Sequence, residues 1–165
     1  YSGDPNIYNP YGSAIVGVGS VLEYYDTDKL FPVYGFGAKL APDQPTSHLF
    51  SVNGNEGQPE VQGVAGILQA YYSCLPRVTL HGPTIFSQVI QQAAAFASCL
   101  QSTDPARQKY TILMIITDGV INDMQNTIDS IVSCSDLPIS IIIVGVGNAN
   151  FDAMRELDAD DKKLE

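Results

Sequence analysis

The chain has 165 residues, of which 45% are hydrophobic and 16% charged, and its formal net charge is −10. This length suits one domain with a core of its own, and the composition excludes a disordered chain. The acidic balance opposes nucleic acid and anionic lipid as direct ligands of this domain and makes a cation the more natural guest.

In chain order, residues 1–13 are rich in Gly, Pro, Asn and Tyr and read as loop. Residues 14–25 carry Ile15, Val18, Val21 and Leu22 at helical spacing, weakened by Gly17 and Gly19, which allow close helix–sheet approach. Residues 29–38 read as one strand ending in Gly35-Phe36-Gly37, and residues 48–52 as a short strand. After a loop at 53–59, residues 60–75 form a predicted helix with Val64, Ile67, Leu68 and Tyr71 on one side, closed by Pro76. Residues 84–100 are a second amphipathic helix whose stripe is Phe86, Val89, Ile90, Ala93, Phe96, Ala97 and Leu100.

The stretch Lys109 to Asp123 organises the second half of the chain. Its first half is a continuous apolar, β-branched run, the pattern of a strand buried on both faces, and it stops at Thr117-Asp118-Gly119. A carboxylate at the C-terminal end of a parallel strand projects into the crevice where open α/β sheets bind ligands. Gly119 then frees the chain to turn, and Asn122 with Gln125 reads as a capping box that starts a helix running to about Cys134. Met124, Ile128, Ile131 and Val132 are its predicted inner face. Pro138 opens the strand 139–146, Asn150 caps a short helix to Leu157, and the charged tail 158–165 reads as frayed.

Strands alternating with helices predict an α/β fold with a mostly parallel, doubly wound sheet. Nothing before residue 30 reads as a buried central strand, so the expected sheet lacks its first strand in this chain. Cys74, Cys99 and Cys134 are odd in number, far apart and in predicted amphipathic helices, which suits reduced thiols in a cytosolic protein. No apolar run is long enough to span a bilayer, and nothing at the start resembles a signal peptide.

A set of short strings, in order, carries a family resemblance: Asn9-Pro10-Tyr11, residues 25–32 (Tyr-Asp-Thr-Asp-Lys-Leu-Phe-Pro), Gly35-Phe36-Gly37-Ala38, Leu75-Pro76, Gly82-Pro83-Thr84, Thr117-Asp118-Gly119 and residues 137–147 (Leu-Pro-Ile-Ser-Ile-Ile-Ile-Val-Gly-Val-Gly). Together they resemble the von Willebrand factor A-type (vWA) domain of copines over residues 1–165, as a fragment truncated at both ends. The resemblance implies a Rossmann-like domain of a calcium-dependent phospholipid-binding protein, in which two lipid-binding modules precede an A domain that recruits intracellular target proteins. It implies a cytoplasmic protein brought to the plasma membrane by calcium, with phospholipid contacted only by modules outside this chain. It also implies a metal-ion-dependent adhesion site (MIDAS) built from an Asp-x-Ser/Thr-x-Ser loop, a second-loop Thr and a third-loop Asp. On this pattern the second-loop residue is Thr84 and the third-loop residue is Asp118. Ser2, in Ser2-Gly3-Asp4-Pro5, either is the last Ser of the first loop or stands where copines have Asn. The ion expected is magnesium or manganese, with calcium as a further option.

Read from chemistry alone, Thr84 and Asp118 are hard oxygen donors on two loops, as magnesium requires, but the residues by themselves favour Thr84 as the cap of the helix that follows it. Gly17-Val18-Gly19 and Gly145-Val146-Gly147 lack the third glycine of a dinucleotide fingerprint and read as strand-end turns; no Gly-Lys-Ser/Thr exists for a nucleotide site. His48 and His81 lack a nucleophile-elbow partner, with His81 either at the rim of the Thr84 loop or simply exposed. Tyr24, Tyr25, Tyr71 and Tyr72 read as packing residues with wet hydroxyls. Asp158, Asp160 and Asp161 read as a solvated tail. Two alternatives stand beside the non-enzymatic interaction domain: a magnesium-dependent phosphohydrolase, which would need a second carboxylate that Asp118-Gly119-Val120 does not supply, and the A domain of a copine-like ubiquitin ligase.

Overall fold

A computed structural model describes residues 8–158 as a mixed α/β chain in two units, divided between Gly82 and Pro83. Ser2, Asp160 and Asp161 lie outside the described residues.

In the first unit, α1 (Pro10–Tyr25) starts four residues earlier than hydrophobic spacing predicts. Asn9 Oδ1 accepts the Gly12 N–H at 2.8 Å and Pro10 opens the first turn, so capping chemistry sets the start. Gly17 and Gly19 lie inside this helix and do not form a strand-end turn. Gly19 faces Val64 of α2 (Gly63–Cys74), where a Cβ would come within 3.2 Å of Val64 Cγ2, whereas Gly17 faces open space. The close approach is therefore helix to helix, at one glycine of the two. Tyr71 stacks on Tyr11 with centroids 5.9 Å apart and accepts a hydrogen bond from Asn9 Nδ2. Tyr24 and Tyr25 do not pack as expected: they are 85% and 77% exposed at the end of α1.

The strand expected at 29–38 is three short strands with three different partners. β1 (Leu30–Pro32), β2 (Tyr34–Gly35) and β3 (Ala38–Lys39) pair antiparallel with β5 (Glu60–Gln62), β4 (Phe50–Ser51) and β6 (Thr79–Leu80). Pro32 offers no N–H to continue a ladder, and Gly37 turns the chain at φ +69°. Gly35 leaves room for the Phe50 ring that a side chain would occupy. Glu60–Gln62 is strand and not the first turn of α2, because Gly63 bends the chain at φ +64° and donates its N–H to Lys29 O at 2.9 Å. Ala38, Phe50, Val52, Ala70 and Cys74 make the core of this unit.

The second unit is built around a parallel pair. β7 (Thr111–Thr117) runs beside β8 (Ile139–Gly145) in register from Thr111↔Ile139 to Thr117↔Gly145, and α4 (Met124–Ser133) is the crossover. Parallel pairing is thus seen at β7–β8, while the described pairs of the first unit are antiparallel, in place of one parallel sheet. α3 (Ser87–Cys99) buries Val89, Ile90 and Ala97 of its predicted stripe, with Phe86 fully buried just ahead of it, but Phe96 is exposed. Neither strand is buried on both faces throughout: Ile112 is exposed and β8 is half-buried along most of its length. On α4 the buried residues are Thr127 and Ser130, and Val132 is exposed. The last helix is a 3-10 turn, Asp152–Leu157, with Asn150 Oδ1 accepting the Asp152 N–H.

All three cysteines are free, Cys74 and Cys134 buried and Cys99 exposed. Burial pushes both buried thiols above the ordinary value, more strongly at Cys74 than neighbouring Arg77 can offset. Among the described residues no helix is long and apolar enough to cross a membrane. Ile115, 2% exposed on β7, anchors the second unit. Ile115→Ala is expected to cost about 2–5 kcal/mol, read from the urea midpoint, because a closed strand–helix interface refills such a void poorly.

Candidate metal centre

Where β7 ends, Thr117 is buried and its hydroxyl accepts the Gly119 N–H at 3.2 Å, closing a tight turn around Asp118. The Thr117 carbonyl also accepts the Val146 N–H at 2.8 Å, which ties the ends of β7 and β8 together. Asp118 is exposed at the tip of this turn, and its carboxylate has no hydrogen-bond or ion-pair partner among the described residues. Gly147, at φ +81°, passes close by, with its Cβ position 4.0 Å from Asp118 Cβ.

Thr84 comes to the same turn from the loop ahead of α3. A Cβ on Gly119 would lie 2.9 Å from Thr84 Oγ1, so the glycine leaves the space that the hydroxyl fills. Thr84 does not cap α3. That helix starts at Ser87, three residues later, with Phe86 at the N-cap position and no cap from its side chain. The peptide groups of Thr84 are instead held by Asn122: the Thr84 N–H donates to Asn122 Oδ1 at 2.7 Å, and the Asn122 N–H donates to Thr84 O at 2.9 Å.

The cap of α3 comes from Asp123, which local spacing did not reveal. Its Oδ1 accepts the Phe86 N–H and its Oδ2 the Ser87 N–H, each at 3.0 Å, and Thr127 Oγ1 donates to Oδ1 at 3.2 Å. A carboxylate on the first free N–H groups of a helix satisfies orphan donors and complements the positive end of the helix dipole. The capping box expected from Asn122 and Gln125 is therefore absent: Asn122 serves Thr84, and Gln125 Nε2 donates to Asp129. Asp123 stands at the N-cap position of α4 but its side chain caps no N–H of that helix: the N–H groups its carboxylate accepts belong to the start of α3, and α4 reaches the carboxylate only through the Thr127 hydroxyl.

The donor set fits a small hard cation in kind, with one hydroxyl and one carboxylate free of competing bonds among the described residues at adjacent loops. Among the described residues no group of three or more His, Cys, Asp and Glu side chains could hold a metal, and Thr84 and Asp118 bring two oxygen atoms to this rim. His81 belongs to the first unit, exposed, with Nδ1 within hydrogen-bonding distance of Thr46 Oγ1 and Gly82 O. Two open grooves of the second unit follow β8, lined by Ile141, Ile143 and Leu157, and include neither Thr84 nor Asp118. Asp123→Ala is expected to cost about 1–2 kcal/mol in denaturant unfolding through loss of the cap. Asp123→Asn, which keeps one acceptor oxygen, should cost less.

The sequence matches the family description "Copine" over residues 3–165. It is 53% identical over 152 residues to Protein BONZAI 1 of Arabidopsis thaliana, covering 92% of this chain and 26% of the relative. Protein BONZAI 2 of Arabidopsis thaliana is 52% identical over 158 residues, 95% of this chain and again 26% of the relative. The chain thus spans about a quarter of the length of these curated relatives. The match runs through every ordered string that carried the resemblance, and the chain belongs to the copine family.

Proposed function

We propose that this chain is the vWA-type domain of a copine-like, calcium-dependent phospholipid-binding protein, and that it recruits intracellular target proteins through a divalent cation held at Thr84 and Asp118. The single observation that carries the reading is the meeting of the Thr84 hydroxyl with the Asp118-Gly119 turn at the end of a parallel strand, in a chain of this family. Thr84 and Asp118 supply two oxygen donors, and Gly119, lacking a Cβ, lets the Thr84 hydroxyl come up against the Asp118 turn. Ser2, the third ligand in this reading, lies outside the described residues. Bound there, magnesium or manganese would supply open coordination positions for water and for the carboxylate of a visiting protein. The net charge of −10 favours the cation and disfavours an acidic partner without it, which makes the ion the natural bridge. The Rossmann-like completion of the sheet, cytoplasmic residence and calcium-driven recruitment to the plasma membrane through modules outside this chain are parts of the same proposal.

A weakly held ion stabilises the folded state by RT ln(1 + [L]/Kd), about 1.4 kcal/mol at ten times Kd. In the full-length protein, millimolar magnesium or manganese is expected to raise the melting temperature of this domain by a few degrees, and Thr84→Ala and Asp118→Ala should each abolish the rise. Identical melting with ion, with chelator and in both variants would remove the case for the site. The domain is proposed to be non-enzymatic. Hydrolysis of a generic phosphate ester should stay at background with magnesium present, since Val120 stands where a phosphohydrolase of this pattern needs its second carboxylate.

A further inference from the structure

We propose that Asn122 is a positioning residue for the cation site, holding Thr84 against the Asp118-Gly119 turn; this rests on the reading of Thr84 and Asp118 as metal ligands. Residues 83–86 have no helix or strand of their own, so the course of the backbone that carries the Thr84 hydroxyl must be fixed by other bonds. Four hydrogen bonds do this, and all of them end on two consecutive residues. Asn122 takes both peptide groups of Thr84, at 2.7 and 2.9 Å, while Asp123 takes the N–H groups of Phe86 and Ser87.

The two residues divide the work. The Asp123 bonds have an ordinary structural use, as the cap of α3. The Asn122 bonds are not part of that cap: they fall three residues ahead of the helix, on the peptide groups of Thr84 itself. What they achieve is to keep the Thr84 loop beside the loop that carries Asp118, with Phe86 and Ile121 buried behind them as fixed anchors. Partners outside the coordination shell that orient a ligand typically influence metal affinity strongly although they never touch the ion.

The experiment measures Mn²⁺ binding to the full-length protein by electron paramagnetic resonance of the free ion, together with amide exchange at Thr84. Asn122 is exposed, so Asn122→Ala should leave the fold and melting temperature close to wild type. It is expected to speed Thr84 amide exchange and to raise the Mn²⁺ Kd by roughly ten- to a hundredfold. Asn122→Asp, which restores an acceptor oxygen, should recover both slow exchange and affinity. If Asp118→Ala abolishes Mn²⁺ binding while Asn122→Ala binds as wild type does, the positioning role is overturned and the cation reading stands. If the wild-type protein binds no Mn²⁺ that Asp118→Ala removes, the cation reading fails and takes this inference with it.

Discussion

Two helical N–H groups without an intrahelical acceptor, those of Phe86 and Ser87, set the plan of the second unit. The first turn of any helix leaves such donors unsatisfied, and a partly buried start cannot leave them to water. Here both are met by one carboxylate, Asp123, which lies half-buried in the loop after β7. The charge-assisted bonds stabilise α3, and they also fix where that loop can run. Because Asn122 precedes Asp123, the same turn of chain reaches the Thr84 peptide. Satisfying a helix end thus brings two loops from far apart in sequence to one rim.

The parallel pair supplies the other half of the arrangement. Strands β7 and β8 end level with each other, at Thr117 and Gly145, and a hydrogen bond from Val146 to Thr117 locks the ends. Loops leaving level strand ends share one edge, as ligand sites of α/β folds require. Asp118 is exposed at that edge for a local reason: the Thr117 hydroxyl takes the Gly119 N–H and forces a tight turn. The first unit follows a different logic. Its strands are two or three residues long, its described pairs are antiparallel, and its core lies around Phe50 and the face of α2. Pro32 and the positive-φ glycines at 37 and 63 cut what would have been longer elements into short ones.

Much of this was legible without coordinates. The apolar, β-branched runs within 109–117 and 139–146 announced parallel strands, which pair over 111–117 and 139–145, and the amphipathic stripe from Phe86 to Leu100 announced the helix that packs beside them. Thr84 and Asp118 were legible as candidate ligands through the family strings. The register of breaks was harder to read. A proline that ends a ladder and a glycine at positive φ look alike in sequence whether they bend a strand or sit beside one. Tyr24 and Tyr25 illustrate the same limit, since helical spacing puts them on a face without saying what covers it.

The sequence by itself determined the element types of the second unit, the family, and the residues whose chemistry suits a hard cation, because hydrophobic period and residue type are local properties. Only the tertiary structure decided that Thr84 does not cap α3, that Asp123 does, and that Asn122 grips Thr84 instead of starting α4. Those assignments are hydrogen bonds between residues 36 to 38 positions apart. Local spacing shows only that an acceptor exists; which distant donor claims it depends on how the strands place the loops.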